Sequence, residues 1–399
     1  MKKKYVILIL LALLSVITFL DRNAISLAGK RITDELWLSA SQFGWVLFAF
    51  TLSYGVLEIP SGWLGDRFGA RKVLARIVLA WSAFTALTGM ATGFLSLFTT
   101  RFLFGAGESG AYPNTAVAIR RWFPEAELGR AQSVIWMASR LGGALAPLII
   151  IPLQISFGWR TAFFVLGGIG ILWAVAWLWT YRASEEVAVE VQTKRVEGIT
   201  LMSFLRNGNF WLLMLMYYCY ATGVFFFISW LPRYLQQGRG MAEGELMFSA
   251  SLPFFLAAFG CLAGGVLSDW CVARWGVRTG RRVVPMVGLA LSGIFLFAAA
   301  FVGSNAVAVV LLALGLALMD VTAPVAWAVA TDFGGRSSGV VTGAMNSAGL
   351  LAGSVSAVAT GYVIEHTGDY QIVVVITAVV LLTGSQLWWL IRPDALRTK

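Results

Sequence analysis

The sequence has 399 residues, of which 58% are hydrophobic and only 13% are charged, with a formal net charge of +10. Soluble proteins carry about 25% charged residues, so this composition excludes a soluble fold and indicates a polytopic membrane protein. The apolar stretches are too long for the alternating strands of a membrane barrel. Three cysteines without metal or redox spacing and a single histidine, His366, argue against a disulfide framework or a metal site.

Apolar stretches separated by short polar turns predict twelve membrane-spanning helices. In chain order they cover 5–29, 42–64, 73–93, 96–119, 131–154, 159–181, 210–235, 246–270, 283–303, 306–330, 338–363 and 370–391. The longest polar gap separates two sets of six. We therefore predict an all-α polytopic membrane protein with an N-terminal six-helix bundle over 1–181, a cytoplasmic linker over 182–209 and a C-terminal six-helix bundle over 210–399.

An internal repeat relates the two predicted bundles. The segment that begins at Gly62, between the second and third predicted helices, reads Gly-Trp-Leu-Gly-Asp-Arg-Phe-Gly-Ala-Arg-Lys. A similar segment, Gly-Val-Leu-Ser-Asp-Trp, begins at Gly265 between the eighth and ninth, and Gly129-Arg130 is echoed by Gly335-Arg336. This pattern predicts two parallel six-helix repeats with a binding site near the membrane midplane between them.

The distribution of basic residues predicts the orientation in the membrane. If the N-terminus is inside, most of the 30 Lys and Arg residues fall on the cytoplasmic side. The outward-facing ones are Lys30, Arg31, Arg160, Arg233 and Arg239. This asymmetry places both termini in the cytoplasm, and it explains the positive net charge by contact with anionic lipid headgroups rather than with nucleic acid. The first apolar stretch is too long for a signal-peptide core and is expected to remain as a helix.

The loop that begins at Gly62, together with twelve predicted spans and a parallel repeat, resembles the signature of the major facilitator superfamily. Within that superfamily the chain is similar to the anion:cation symporter family, which includes bacterial sugar-acid transporters and animal phosphate, sialate and glutamate carriers. The closer resemblance is carried by Phe19-Leu-Asp21-Arg22-Asn23, Tyr54, Arg101-Phe-Leu-Phe-Gly-Ala-Gly-Glu108 and Gly110-Ala-Tyr-Pro113-Asn114. The resemblance implies proton-coupled transport by alternating access in a bacterial inner membrane.

Three arginines fall within predicted spans, where a charge costs at least about 2.5–3.5 kcal/mol. Arg22, Arg101 and Arg140 lie around the middle of the N-terminal bundle, and a cluster of guanidinium groups there selects anions such as carboxylates. The alternative is that each arginine only neutralises an acid, with Arg22 paired to Glu108. For Arg140, substrate contact and an ion pair with Asp320 both remain open. The resemblance favours Arg22 and Arg101 as anion-binding or coupling residues.

Asp21 and Glu108 are the candidate proton carriers. Burial favours the neutral form of a carboxyl group, and a nearby arginine favours the ionised form. An anion that binds the arginine would therefore favour protonation of the acid, and this linkage is reciprocal. With Glu58 and Asp320, whose roles stay open, the spans hold four acids against three arginines, so one acid is most easily protonated. We predict proton-coupled symport; the alternative is that Asp21 is only an ion-pair partner.

Several polar residues are candidates for contact with the rest of the substrate. Tyr54 matches the family pattern, and Asn346 and Ser347 in the eleventh predicted helix have the groups to bond substrate hydroxyls, although polar residues there also join helices. Hydroxylated carboxylates such as aldonates, aldarates or hexuronates fit these groups. Arg140 would suit a second carboxylate of a dianion.

A separate set of charges lies at the predicted cytoplasmic face. We expect Asp66, Arg67 and Arg71 to hold helix ends together in one conformation and to release them in the other, which is a gating role. Asp269 is expected to do the same in the second bundle.

Three classes of function compete. The preferred one is a proton-coupled organic-anion symporter in the inner membrane; an exporter, exchanger or uniporter of another organic compound on the same fold is the alternative. An enzyme or receptor is disfavoured because the sequence offers no nucleophile with a base, no metal ligands and no long signalling tail. We expect a monomer in the lipid bilayer, with a small organic anion and protons as partners and no cofactor besides the coupling proton.

Overall fold

The computed structural model describes residues 3–123, 125–181, 204–334 and 338–392. Over these ranges the secondary structure consists of helices and short connections, without a strand, which confirms the all-α prediction. The helices of the first half are α1 Lys3–Leu27, α2 Gly29–Leu36, α3 Ala40–Phe68, α4 Ala70–Thr88, α5 Phe94–Glu108, α6 Ala111–Trp122, α7 Glu125–Phe157 and α8 Trp159–Thr180. Those of the second half are α9 Gly208–Phe225, continued by π-helical turns Phe226–Trp230 and Tyr234–Gly238, α10 Glu243–Phe301, α11 Asn305–Asp320, α12 Thr322–Gly334, α13 Ser338–Thr367 and α14 Tyr370–Leu390.

Nine helical segments of the described chain are long and apolar enough to cross a membrane, judged by length and composition. One of them, α10, is a double span, because Gly276 has φ 78° and ψ 166°, values that interrupt a helix and that glycine tolerates. The predicted spans 246–270 and 283–303 lie on either side of this break. With α4 and the α5–α6 pair added, the helices account for the twelve predicted spans.

Two predicted spans are interrupted in the structure. The span predicted over 96–119 is divided between α5 and α6, because Gly110 adopts a left-handed φ of 84°. A side chain at this position would also place its Cβ 2.3 Å from the Cβ of Ser61, so glycine is required by both backbone and space. The span predicted over 306–330 is likewise divided, between α11 and α12. Breaks of this kind in membrane helices occur where backbone lines a site.

The chain divides into two compact units. The first comprises Met1–Val191 and Ala357–Glu365, and the second comprises Gln192–Ser356 and His366–Lys399. Most of the predicted linker, 182–203, lies outside the described residues, and α9 already begins at Gly208. The boundaries predicted for the two bundles and the linker therefore remain predictions.

Small residues set the close packing of the first unit, in which α1 packs on α7, α4 on α8 and α3 on α5. A Cβ at Gly105 would lie 2.3 Å from the Ser53 hydroxyl oxygen and 2.4 Å from the Phe50 carbonyl oxygen. A Cβ at Gly142 would lie 2.7 Å from the carbonyl oxygen of Val16. Glycine thus lets backbones approach where no side chain fits, as in other membrane helix pairs.

We predict that Gly105→Ala destabilises the protein by about 1–3 kcal/mol, because the added methyl group overpacks the α3–α5 contact. Gly168→Ala on α8 is the matched control, since no atom lies within 4 Å of its would-be Cβ. Thermal unfolding of both variants in detergent measures the difference. Equal midpoints for the two variants would contradict the packing argument.

Candidate functional site

Four charged side chains of the first unit interact inside the helix bundle. Asp21 and Arg22 lie on α1, and Arg101 and Glu108 lie on α5. Asp21 and Arg101 are each 1% exposed, and Glu108 is fully buried. The glycine-mediated approach of α3 and α5 brings aromatic rings of α3 against the same charges. The structure therefore gathers the residues that the sequence singled out on two separate helices.

Arg22 and Glu108 form an ion pair in which the glutamate is fully buried and the arginine is partly exposed. The Arg22 Nε donates to Glu108 Oε1 at 2.6 Å. The guanidinium carbon lies 4.7 Å from the centre of the Tyr54 ring and 5.5 Å from that of Phe50, which are cation–π distances. Arg22 Nη2 and Glu108 Oε2 make no hydrogen bond to the described residues. This is the pairing that the sequence left open as one of two roles for Arg22, and Tyr54 contacts the arginine of the pair.

Arg101 differs from Arg22 because the described residues give it no acid within ion-pair distance of 4 Å. Its guanidinium carbon lies 4.2 Å from the Phe104 ring centre and 5.3 Å from that of Phe50. Its Nε and Nη1 are buried without a hydrogen-bond acceptor in the described chain. Phe50 thus contacts both guanidinium groups. A buried guanidinium with two unsatisfied donors has the geometry to bind the two oxygens of a carboxylate or related oxyanion.

Asp21 lies beside these charges on α1. It interacts electrostatically with Glu108 and Arg101, and it faces the indole of Trp81 on α4. Neither carboxyl oxygen of Asp21 has a hydrogen-bond partner of good geometry among the described residues, and the same holds for the indole nitrogen of Trp81. Sequence reasoning did not select Trp81, because nothing distinguishes it among 17 tryptophans.

A tyrosine that the sequence did not select completes the aromatic side of the site. Tyr112, near the start of α6, lies with its ring centre 5.7 Å from the Arg22 guanidinium carbon. Its hydroxyl is 2.8 Å from that of Ser139 on α7, and its ring stacks on Trp136 with centres 5.3 Å apart. Tyr112 lies within the Gly110-Ala-Tyr-Pro113-Asn114 segment that matches the family pattern, so the sequence did contain a signal for this residue. Arg140 follows Ser139 and is 9% exposed; its contact with substrate or with Asp320 stays a prediction.

Polar contacts to α3 hold the break that follows Glu108. The hydroxyl oxygens of Ser61 and Ser109 are hydrogen-bonded at 3.0 Å. The side-chain nitrogen Nδ2 of Asn114 donates to the carbonyl oxygens of Ser61, at 3.1 Å, and of Gly110, at 2.8 Å. These bonds tie both sides of the break to α3, since Ser109 precedes Gly110 and Asn114 follows it. They also fix the end of α5, and with it the position of Glu108.

The second unit has its own buried acid at a helix break. Asp320 is the last residue of α11 and is fully buried, and its Oδ1 accepts a hydrogen bond from the Tyr220 hydroxyl at 2.7 Å. The sequence noted Asp320 without assigning a role to it. The predicted substrate contacts Asn346, half-buried, and Ser347, exposed, lie on α13. Among the described residues no group of three His, Cys, Asp or Glu is placed to hold a metal ion.

The predicted gating residues lie near helix ends. Arg71 Nη2 donates to the Leu178 carbonyl oxygen at 2.6 Å, which ties the start of α4 to the end of α8. Asp269 pairs with Arg281 at 2.9 Å, across the Gly276 break of α10. Asp66 and Arg67 lie on the last turn of α3, and their side chains lie outside the described part of the structure.

Comparison with known proteins gives a consistent result over almost the whole chain. Residues 11–357 match the Major Facilitator Superfamily. The chain is 34% identical to the "Probable sulfoacetate transporter SauU" of Cupriavidus necator, with 98% of this chain and 94% of that protein covered. It is 31% identical to the "Hexuronate transporter" of Bacillus subtilis, covering 93% and 90%, and 30% identical to the "Probable galactarate/D-glucarate transporter GudP" of Escherichia coli, covering 92% and 88%.

The fold is also similar to that of a solved transporter. A crystal structure of a bacterial homologue of the human lysosomal transporter Spinster, in an inward-facing and occupied conformation, superposes with a TM-score of 0.83. The superposition covers 98% of this chain and 97% of the solved chain. The sequence identity is 21%, so the likeness concerns the fold alone.

We predict that the Arg22–Glu108 pair behaves as one energetic unit. Arg22→Gln should lower the free energy of unfolding by about 3–5 kcal/mol, because it leaves a buried carboxylate without its partner. The double variant Arg22→Gln/Glu108→Gln should recover most of that loss. Unfolding midpoints of the two single variants and the double variant in detergent test this, and strictly additive losses would contradict the pairing.

Proposed function

Because the chain belongs to the major facilitator superfamily of membrane transporters, we propose that it is a proton-coupled symporter of small organic anions. Transport rather than catalysis is the activity of this family. The observation that carries the proposal is Arg101, a fully buried cation with two unsatisfied N–H donors, next to the buried acid Asp21. We propose that this site takes up an anion and a proton together and that alternating access carries both across the membrane.

The substrate proposal rests on the chemistry of the arginines. Glu108 neutralises Arg22, so Arg101 is the cation whose charge a bound anion would balance. Of the relatives described above, one is named a hexuronate transporter, and the other two are named probable transporters of sulfoacetate and of galactarate or D-glucarate. These compounds share a terminal oxyanion group that fits a guanidinium fork. We propose that Arg101 binds this group and that Arg22, through Nη2, and Tyr54 contact the adjacent part of the substrate.

The coupling proposal rests on the surroundings of Asp21. A buried carboxylate that accepts no hydrogen bond is costly, so this arrangement suits the protonated acid. Ionised Asp21 would be attracted to Arg101, the same group that the substrate anion needs. Substrate binding therefore favours protonated Asp21, and loss of substrate favours proton release, as linkage requires. Glu108 is proposed as the second coupling acid because its bond to Arg22 changes when the anion contacts that arginine.

Other predicted residues enter as parts of the same proposal. Arg140 is proposed to meet a second acidic group of dianionic substrates, and Asn346 and Ser347 to bond substrate hydroxyls. Gating is assigned to the cytoplasmic charges Asp66, Arg67, Arg71 and Asp269. We propose a monomer in the bacterial inner membrane, with both termini in the cytoplasm and the proton as its coupling ion.

Uptake into proteoliposomes tests the proposal. The panel is labelled sulfoacetate, D-glucuronate, D-galactonate and D-glucarate, each with and without an inward proton gradient. We expect the gradient to drive accumulation of at least one compound. Asp21→Asn and Glu108→Gln should lose that accumulation, while counterflow exchange survives in at least one of them.

The outcomes separate the proposed mechanism from its alternative. Uptake that ignores the gradient and survives both substitutions would mean exchange or facilitated diffusion, and the buried acids would then be structural. Absence of uptake for the whole panel, in protein that unfolds cooperatively in detergent, would reject the substrate class.

Arg101→Lys tests anion recognition separately from charge. The ammonium group keeps the charge but loses the planar fork, so we expect at least about tenfold weaker apparent affinity. The matched control is Arg160→Lys, since Arg160 pairs with Glu35 at a distance from the site residues. Competition by unlabelled substrate in counterflow measures both affinities. Equal affinities in the two variants would show that Arg101 does not bind the anion.

A further inference from the structure

Trp81 on α4 is a fully buried side chain with an unsatisfied donor. Its indole nitrogen makes no hydrogen bond in the described chain. Neighbouring glycines leave room for other helices to pack closely around it: a Cβ at Gly107 would lie 3.2 Å from the Trp81 backbone nitrogen, and one at Gly170 would lie 3.6 Å from the indole nitrogen. Buried tryptophans usually bond this N–H group. The lack of an acceptor therefore needs an explanation.

The group that faces this indole is Asp21, which itself lacks a donor on both oxygens. The two polar groups thus lie side by side inside the bundle, close enough to interact but without a hydrogen bond of good geometry. A neutral carboxyl group gains little from a single neutral donor. An ionised carboxylate gains more, because hydrogen bonds to charged groups are stronger, particularly in a buried site of low dielectric.

We infer that Trp81 is the positioning donor for the ionised form of Asp21, and that a small approach of the two side chains forms this bond when the proton leaves. The inference rests on the proposed role of Asp21 as a coupling acid. It assigns to Trp81 a task in proton release rather than in substrate binding. The indole would lower the barrier to release, because it stabilises the product of that step.

The other charges around Asp21 are poorly suited to this task. From α5, Arg101 attracts the ionised form but is the group proposed to bind the substrate, and Glu108 repels a second negative charge. Arg22, next in sequence, is bonded to Glu108. The titratable groups on the other helices packed against α1 include Tyr112 on α6 and Arg140 on α7. The Trp81 indole is a neutral donor, so it is neither the group proposed to bind the substrate anion nor one that repels the carboxylate.

Trp81→Phe is the direct test, because it keeps an aromatic ring and removes the N–H group. Without the donor, the carboxylate of Asp21 is less stable, so its proton leaves only at higher pH. We expect the dependence of net uptake rate on internal pH to move upward by about one to two pH units, with external pH held constant. Counterflow exchange of the same labelled panel compound, which needs no proton release, should be unchanged.

Two controls keep the result interpretable. Trp122→Phe removes another buried indole with an unsatisfied N–H in the same unit, packed edge-on against Tyr181 with ring centres 5.4 Å apart, and should leave the pH profile unchanged. Incorporation of benzothienylalanine at position 81, which replaces the indole N–H by sulfur and keeps the shape, should reproduce the shift if Trp81→Phe disturbs folding.

The possible failures are distinguishable. If the wild-type protein shows no gradient-driven uptake, the proposed function fails before any variant is compared. If wild-type uptake is gradient-driven and both replacements at position 81 keep the wild-type pH profile, the role of Trp81 is overturned. A shift of equal size in Trp122→Phe would also overturn it.

Discussion

A permanently charged guanidinium buried inside a helix bundle is the constraint on which the rest of the site depends. Arg101 cannot lose its charge under ordinary conditions, and within the described chain two of its nitrogens find no acceptor. Aromatic faces of Phe50 and Phe104 supply partial compensation through cation–π contacts. Full compensation requires an anion, either the neighbouring Asp21 or a bound substrate. Competition between these two for one cation is the physical basis of the proposed coupling.

The helix breaks explain how such groups are held inside the membrane. In each unit a helix ends immediately after a buried acid, Glu108 in the first and Asp320 in the second. In the first unit, side-chain hydrogen bonds of Ser61, Ser109 and Asn114 tie the interrupted helix to α3. The same side chains fix the acid. An interrupted helix therefore fixes the position of a buried charged group. A continuous apolar helix carries no such group and needs no interruption.

Much of this architecture was predictable from the sequence, because twelve apolar stretches, a parallel repeat and charges within spans are local signals. Arg101 and Glu108 were selected for that reason. The break at Gly110 was not predicted, since hydropathy does not report a left-handed φ. Trp81 and Tyr112 were missed because buried aromatics are common in membrane proteins, and only tertiary contacts show which of them meet a charge. The sequence offered Glu108 as one possible partner of Arg22, and the 2.6 Å contact between Nε and Oε1 was needed to establish the pair.

Proton uptake on ligand binding tests the central claim most directly. Purified protein in weakly buffered detergent solution, with a pH indicator, would be titrated with the anion that the protein transports best, and binding would be followed in parallel by calorimetry. The account predicts uptake of up to roughly one proton per bound anion, greatest where free Asp21 is ionised, and little or none in Asp21→Asn. Binding of the anion without any proton uptake by the wild-type protein, across the pH range in which it transports, would contradict the account.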